Sequence, residues 1–400
     1  MGMEDILKIC SVNDHINNNV FVGIRFDDHK ISVHFPLGFR LENPRKDIQL
    51  LISILKRYSY NSDRDEYLTN QVKKNTEFPL LAYQYIIVDY INRGYYYERE
   101  TNYKKSQKGN VNWKKTIKNV NPVVYNGRLG YLDFWVKNID YTKETEITLI
   151  HEYCVYESIK WMGWLYNLPL PQKPKLELNK KLFLSRIDEK MKCTFSDSTK
   201  ELLLAMKAVL LSLDDDGQVI HKTCFGTERF EYIWEKMVDQ VYGIKEKQNY
   251  FPNTFWNVKG KTKKYNSPLE PDTIMLKDKD VFILDAKYYK YGVSNRIIHL
   301  PETSSISKQI TYGEFVEENN LCDGEIYNCF IMPYDCQAGI FPSDNEMFIV
   351  GVAGSDWKSS QKKYENVVGL LVDTKHLMKH IQKDSDKINK LAYAIKDEIG

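Results

Sequence analysis

Residues 269–292 read LEPDTIMLKDKDVFILDAKYYKYG. Two aspartates, Asp272 and Asp285, bracket a pair of apolar runs at 273–276 and 281–287, and the runs flank the polar stretch KDKD at 277–280. Short apolar runs around a polar turn predict the two strands of a hairpin. With 277–280 as a four-residue loop, Asp272 falls opposite Asp285, their Cβ atoms roughly 4.5–5.5 Å apart. Side-chain alternation puts Lys287 on the Asp285 face and turns Ala286 away. Like charges set directly across a ladder repel, so the pair calls for a cation. Two or three carboxylate oxygens completed by water suit Mg2+. An ammonium beside them can orient a water or steady charge on a phosphate. This is chemistry suited to hydrolysing a phosphodiester. The pattern alone also fits a hairpin whose solvated ends happen to carry Asp.

The flanking sequence supplies the elements that would position these groups. Residues 227–243 form an amphipathic helix that ends at Gly243 and carries Glu231 and Glu235 one turn apart. Residues 254–259 read as a strand. Residues 304–318 read as a helix carrying Gln309 and Tyr312, although Gly313 weakens it. Runs at 327–332, 347–352 and 367–372 read as buried strands, with a terminal helix after Asp373. The order helix, three strands, helix, strand predicts an α/β domain with a mixed sheet flanked by helices. Four hundred residues favour two domains. Pro169, Pro171 and Pro174 make a stiff connector, between an apolar helix at 146–166 and a buried one at 197–213. The expected division is an N-terminal domain at 1–170 and a C-terminal domain at 178–400.

In this order the elements and the motif PD, twelve residues, DAK resemble the PD-(D/E)xK nuclease superfamily. The resemblance implies a restriction-endonuclease-like core in which Asp272 and Asp285 hold the metal and Lys287 assists the attacking water. Glu235 would complete the metal site, with Glu231 as the alternative. Gln309 would join the site from the second helix. The role of Tyr312 stays open, because QITY spaces the two residues by three where four is commoner. GNVNWKKTI (109–117), IHEYCVYES (150–158), GTERFEYIWEKM (226–237) and the PD…DAKYY block together resemble LlaJI-type restriction endonucleases, which are related to McrC nucleases. That resemblance implies a bacterial, Mg2+-dependent type II enzyme that cuts double-stranded DNA at a short sequence, and a cognate methyltransferase. It also implies an N-terminal α+β DNA-recognition domain and, as for some relatives, a McrB-like GTPase partner. Cutting both strands suits a homodimer. The alternatives are a DNA repair nuclease without sequence specificity, or a catalytically silent DNA-binding subunit.

With a formal charge of +2, any DNA contact must rest on local basic patches. Residues 99–118 hold Arg99 and six lysines against one acid, with Tyr103 and Trp113 interleaved. Read as a loop, this stretch offers Lys104, Lys105, Lys108, Trp113, Lys114 and Lys115 to DNA, although a lysine run alone is more often a solvated surface. A second basic run at 258–265 offers Lys261, Lys263 and Lys264 near the scissile phosphate. Seven cysteines with no CxxC pair read as the reduced thiols of a cytoplasmic protein. The first residues do not read as a signal peptide, and no apolar run reaches transmembrane length. Four other patterns fall away. Gly260-Lys261-Thr262 lacks the glycine a phosphate loop needs at 255, and the acidic run at 214–216 fails the register of a calcium loop. His151 reads as a hydrogen-bonded structural histidine, and Asp335 and Cys336 as loop residues.

Overall fold

A computed structural model describes residues 3–14, 20–27, 30–59, 79–125, 127–142, 145–214, 223–342, 345–357 and 362–400. The chain divides into two compact units, one built from Met1–Glu77 with His221–Gly400, the other from the intervening Phe78–Ile220. The first unit opens with helix α1 (Met3–Lys8), strands β1 (Cys10–Val12), β2 (Val22–Asp27) and β3 (Lys30–Phe35), and helix α2 (Pro44–Ser59). β3 pairs antiparallel with β2 and parallel with β1. Along α2, Ile48, Leu51, Ile52 and Leu55 are buried at the spacing of one helical face.

The inserted unit runs α3 (Leu80–Arg93), β4 (Glu98–Ser106), α4 (Trp113–Asn119), β5 (Val123–Tyr125), β6 (Arg128–Gly130), β7 (Phe134–Thr142), α5 (Glu146–Tyr166), α6 (Lys180–Lys192) and α7 (Asp197–Leu211). Both helices foreseen here are present. α5 is capped by Thr145 and ends at the left-handed Asn167; α7 is capped by Ser196, one residue before the expected start. His151 is fully buried in α5, where its Nδ1 accepts the Tyr96 N–H at 3.0 Å. Burial pulls its pKa down to about 4, so the imidazole is neutral. The basic stretch at 99–118 is not a loop. β4 pairs with β7 from Glu98↔Thr142 to Ser106↔Phe134, forming a two-stranded arm with α4 and the β5–β6 hairpin between its strands.

The remainder of the first unit adds β8 (Thr223–Thr227), α8 (Phe230–Tyr242), β9 (Phe255–Trp256), β10 (Lys264–Tyr265), β11 (Thr273–Lys277), β12 (Asp280–Ala286), α9 (Thr303–Glu318), β13 (Ile326–Tyr334), β14 (Met347–Ala353), β15 (Val367–Asp373), α10 (Thr374–Lys379) and α11 (Ser385–Ile399). Five strands form a mixed sheet in the order β11-β12-β13-β15-β14. The central three run parallel and both edges antiparallel. One expected strand differs: of 254–259 only Phe255–Trp256 is extended, and it pairs with β10 outside this sheet. α9 covers one sheet face, where Ile310, Tyr312 and Val316 pack with Val281, Ile283 and Phe330.

The division expected at the proline run is corrected by the pairing of β8 with β2, from Val22↔Thr227 to Phe26↔Thr223. That ladder fastens the first strands to the residues leading into α8, and the prolines instead join α5 to α6 within the inserted unit. Gly23 and Gly226 make the pairing close: a Cβ on either would lie 2.3 Å from a carbonyl oxygen of the other strand. Polar contacts reinforce it. The Arg40 guanidinium reaches Asp335 Oδ1 at 2.7 Å and Asp373 Oδ2 at 3.3 Å, so Asp335 is no idle loop residue. Lys375, 1% exposed, is held by Asp47 Oδ1 at 2.7 Å, Glu42 Oε2 at 3.0 Å and the Arg40 carbonyl oxygen at 2.9 Å.

Gly313 sits within α9 because a Cβ there would lie 2.6 Å from the Tyr364 ring. Alanine at this position would gain about 1 kcal/mol in helix propensity, against roughly 1–3 kcal/mol for overpacking. Gly313→Ala is therefore expected to lower the melting temperature in thermal unfolding followed by circular dichroism. A rise would show that propensity outweighs the contact.

Candidate active site

β11 and β12 bury Ile274, Met275 and Val281 to Leu284; because β12 is buried on both faces, the turn that joins the strands fixes their register. The turn is shorter than foreseen. Lys277 pairs with Asp280, leaving Asp278 and Lys279 as a two-residue loop with Asp278 in the left-handed region at φ 57°. Because both loop lengths share a centre, the register is the expected one. Thr273 pairs with Leu284, and the next position outward brings Asp272 beside Asp285. Asp272 Oδ2 accepts the Ala286 N–H at 2.8 Å, which ties its carboxylate to the end of β12. Asp285 is 4% exposed, and the Lys287 ammonium lies 2.7 Å from its Oδ2. Beyond the last paired residue of β12, the Lys287 N–H still donates to the Ile331 carbonyl oxygen at 2.9 Å, which fixes where this lysine leaves the sheet. The Lys247 ammonium donates to the Asp272 carbonyl oxygen.

Tyr288 follows Lys287 and points to the opposite face, with ring centroids 5.5 Å from Phe230 and 6.2 Å from Trp234. Trp234 Nε1 donates to the Ile331 carbonyl oxygen at 3.3 Å. These contacts seat α8 and bring Glu235, the residue after Trp234, into the field of the carboxylates. The Glu235 pKa is pushed up to about 7, first by burial and then by Asp285. Asp272 is pushed up to about 8, first by burial and then by Asp285 and Glu235. The alternative acid, Glu231, is taken up by Arg229 at 3.0 Å. For Lys287 burial pulls downward, but Asp285 outweighs it and the ammonium stays protonated.

α9 brings Tyr312, rather than Gln309, to the carboxylates. The Gln309 Nε2 donates to the Ile283 carbonyl oxygen at 2.7 Å and to Asn328 Oδ1 at 3.3 Å, so its amide is spent holding the helix on the sheet. Asn328 returns a bond to the Gln309 carbonyl oxygen at 3.0 Å. Tyr312 is fully buried, and its hydroxyl has no hydrogen-bond partner among the described residues. Its pKa is raised by burial first and then by Asp285, Asp272 and Glu270, so the O–H keeps its proton within the field of these acids. Helical side chains lean toward the helix N-terminus. Spacing along α9 alone therefore could not say whether position 309 or 312 reaches the site.

Three partly or fully buried acids against one lysine leave negative charge uncompensated, and the raised values of Asp272 and Glu235 express that imbalance. An all-oxygen donor set of this charge fits a hard divalent cation such as Mg2+. The acids do not close into a complete cage. Among the described residues, the group of three ligand-type side chains whose atoms all lie within 4.8 Å of one another is Asp335, Cys336 and Asp373. There the Arg40 guanidinium already supplies the positive charge. Mg2+ typically keeps several waters and does not need a complete cage, so Asp272 and Asp285 with Glu235 remain the better fit.

The lysines expected at DNA divide in the same way. Lys104, Lys105, Lys108 and Lys114 are exposed on the arm or at the start of α4. Lys115 is half-buried, its ammonium 4.6 Å and 4.7 Å from the ring centres of Tyr103 and Trp135. Trp113 is exposed and meets Phe134 edge-on at 5.7 Å. Lys261, Lys263 and Lys264 are exposed on the β9–β10 hairpin. Lysine counting missed the apolar end of the arm, where Ile117, Val124, Leu129 and Leu132 are all exposed. The acidic run at 214–216 lies largely outside the described residues. No helix among the described residues is long and apolar enough to cross a membrane.

Comparison with known proteins bears on the whole arrangement. The family model described as LlaJI restriction endonuclease matches residues 21–355. The type II restriction enzyme BsuMI component YdjA of Bacillus subtilis (strain 168) is 25% identical over 304 residues, which are 71% of this chain and 64% of that protein. The chain thus spans less than two thirds of that relative's length. Among solved structures, the McrB AAA+ hexamer assembly of Thermococcus gammatolerans with bound McrC covers 94% of this chain and 82% of the matched one, at 13% identity and a TM-score of 0.36.

The raised acids make a stability prediction. A carboxyl group with a raised folded-state pKa contributes stability that is complete below its unfolded value near 4 and is lost as pH rises through the folded value. For Glu235 and Asp272 that loss runs through about 7 and about 8. Metal-free protein should melt at lower temperature at pH 9 than at pH 6. Asp272→Asn and Glu235→Gln should each raise the metal-free melting temperature at pH 8 by about 2–4 °C. Mg2+ should stabilise the wild type and have little effect on Asp272→Asn. Scanning calorimetry at pH 6, 8 and 9 reads all of these, and a destabilised Asp272→Asn at pH 8 would contradict the electrostatic account.

Proposed function

This chain belongs to the LlaJI restriction endonuclease family, and on that premise we propose that it is a Mg2+-dependent type II endonuclease that hydrolyses phosphodiester bonds of double-stranded DNA at a short specific sequence. Asp272, Asp285 and Lys287 at the ends of adjacent strands, with Glu235 from the preceding helix, support a PD-(D/E)xK core for it. The observation that carries the reading is the buried, charge-unbalanced pairing of Asp272 with Asp285, with an ammonium 2.7 Å from one of them.

In this reading Asp272, Asp285 and Glu235 hold the Mg2+, which when bound supplies positive charge for a phosphate and helps activate a water. The chain's own groups do the rest. Lys287, protonated and fixed on Asp285, is a donor for the attacking water or a phosphate oxygen, not a base. The Tyr312 hydroxyl, buried, without a partner among the described residues and in the field of the same acids, would be a second donor. Water adds to phosphorus in line with the departing O3′; the proton that the water loses passes to solvent, and O3′ takes one from solvent as its bond breaks, leaving a 5′-phosphate and a 3′-hydroxyl.

The relative's description as a component of a type II restriction enzyme supports action beside another subunit. A McrB-like GTPase or a second copy of this chain fits that role. The exposed apolar end of the arm supports a protein contact there, and the lysines along β4 support a DNA contact in the same unit.

Incubating unmethylated plasmid with Mg2+, with and without a GTPase partner and GTP, should give discrete fragments. A smear would favour a non-specific nuclease. Tight binding without cutting would favour a silent subunit. Asp285→Ala should lower the rate by more than about a hundredfold. Tyr312→Phe should lower it by about 10- to 100-fold with DNA affinity unchanged, the loss of one hydrogen bond to a charged group. Full activity in Asp285→Ala would sink the site assignment.

A further inference from the structure

Residues 255–265, FWNVKGKTKKY, hold four lysines and no acid. Three of their aromatic rings stand in solvent: Phe255 is 51%, Trp256 64% and Tyr265 60% exposed. Folding ordinarily draws rings of that size inward. Trp256 pairs with Lys264 and Phe255 with Tyr265, so the hairpin has two different faces. On one, the Phe255 and Tyr265 rings lie 5.9 Å apart, with the Lys263 ammonium 3.5 Å and 4.9 Å from their centres. On the other, Trp256 stands beside Lys264. The rings on the first face are braced against their lysine, whereas Trp256 projects on the second.

The foot of the hairpin is fixed and adjoins the carboxylates. The Asn266 N–H donates to the Thr254 carbonyl oxygen, and the Leu269 N–H to that of Pro252, each at 2.9 Å. A cavity of about 460 Å3 opens at this foot, lined by Lys247, Gln248, Phe251, Asn253, Pro268 and Glu270. Lys247 also holds the Asp272 carbonyl oxygen. Hairpin, cavity and carboxylates are thus continuous within one unit. The mixture of residues decides the occupant. Protein-docking surfaces are depleted of lysine, whereas platforms for unpaired nucleic-acid strands combine basic groups with exposed rings.

We propose that the 255–265 hairpin is a base-stacking wedge. Trp256 stacks on a base of a DNA duplex opened beside the scissile phosphate, and Lys261 and Lys264 hold the flanking phosphates. Phe255, Tyr265 and Lys263 form the buttress that stiffens it. The inference rests on the nuclease reading of the adjoining site and adds that the substrate is locally unstacked before it is cut.

The test uses the full chain, with its partner subunit if cutting requires one, on a duplex carrying the sequence it cleaves. Permanganate oxidation of thymines near the cut position reports unstacking, with Asp285→Ala keeping the DNA whole. Binding by Asp285→Ala alone should raise thymine reactivity several-fold. Adding Trp256→Ala should abolish that rise and weaken binding on the order of tenfold, and Trp256→Phe should restore both. Lys261→Gln and Lys264→Gln should each reduce the salt dependence of binding by about one ion while leaving the oxidation pattern in place. Trp256 is exposed on a two-residue strand, and an unchanged melting temperature checks that its variants fold. If Trp256→Ala, in a chain otherwise competent to cut, cuts and unstacks DNA like its parent, the wedge is wrong and the nuclease reading stands. Wild type that neither binds nor cuts DNA removes both.

Discussion

The site depends on an electrostatic imbalance that the hairpin register enforces. Once β11 and β12 bury their apolar residues, Asp272 and Asp285 have nowhere to go except beside each other. One Lys287 ammonium cannot balance them together with Glu235, and burial denies them the screening of water. Such an arrangement lowers stability in isolation and gains its purpose from what it attracts. A divalent cation is complementary to it in charge and in hardness, and such a cation would in turn offset the repulsion between these acids and a phosphate.

Holding that imbalance requires a rigid frame, and the frame is assembled from distant parts of the chain. Tyr288 does much of this work. Its ring seats Phe230 and Trp234, and its hydroxyl accepts the Leu37 N–H at 2.7 Å. The residue that follows Lys287 therefore ties together the N-terminal segment, α8 and the strand end. Gln309 and Asn328 do the same on the opposite face by joining α9 to the sheet backbone. The buried Lys375 and the half-buried Arg40 complete the frame as cations with several oxygen partners each. A charge so placed is costly to leave unpaired, and this fixes where the segment around residue 40 must lie.

Two aromatic and basic elements extend from the units. In the inserted unit the arm carries lysines along β4 and an apolar end at Val124, Leu129 and Leu132. In the other unit the β9–β10 hairpin carries rings and lysines intermixed. The difference in composition suits the different partners proposed for them. A segregated apolar end suits protein, and interleaved rings and ammonium groups suit unstacked bases.

How much was legible followed the range of the interaction responsible. Local patterns were sufficient for α5, α7, α8, α9 and the strands of the mixed sheet, because period and turn chemistry act within a dozen residues. Asp272, Asp285 and Lys287 could be brought together from sequence alone, since a hairpin's register follows from its centre even when the loop length is misjudged. Contacts across long separations could not be read. The pairing of residues 22–27 with 223–227 moved the domain boundary away from the prolines, and strand pairing of that span leaves no local mark. The basic stretch taken for a loop became an arm because its partner strand begins 28 residues after Ser106. On α9 the sequence supplied both Gln309 and Tyr312, and only packing against Ile283 and Asn328 determined that the amide is consumed while the hydroxyl is left without a partner among the described residues. Sequence determined which charged groups meet, because register is local. Tertiary structure decided which polar groups are left over to act, because that depends on every partner the fold brings near.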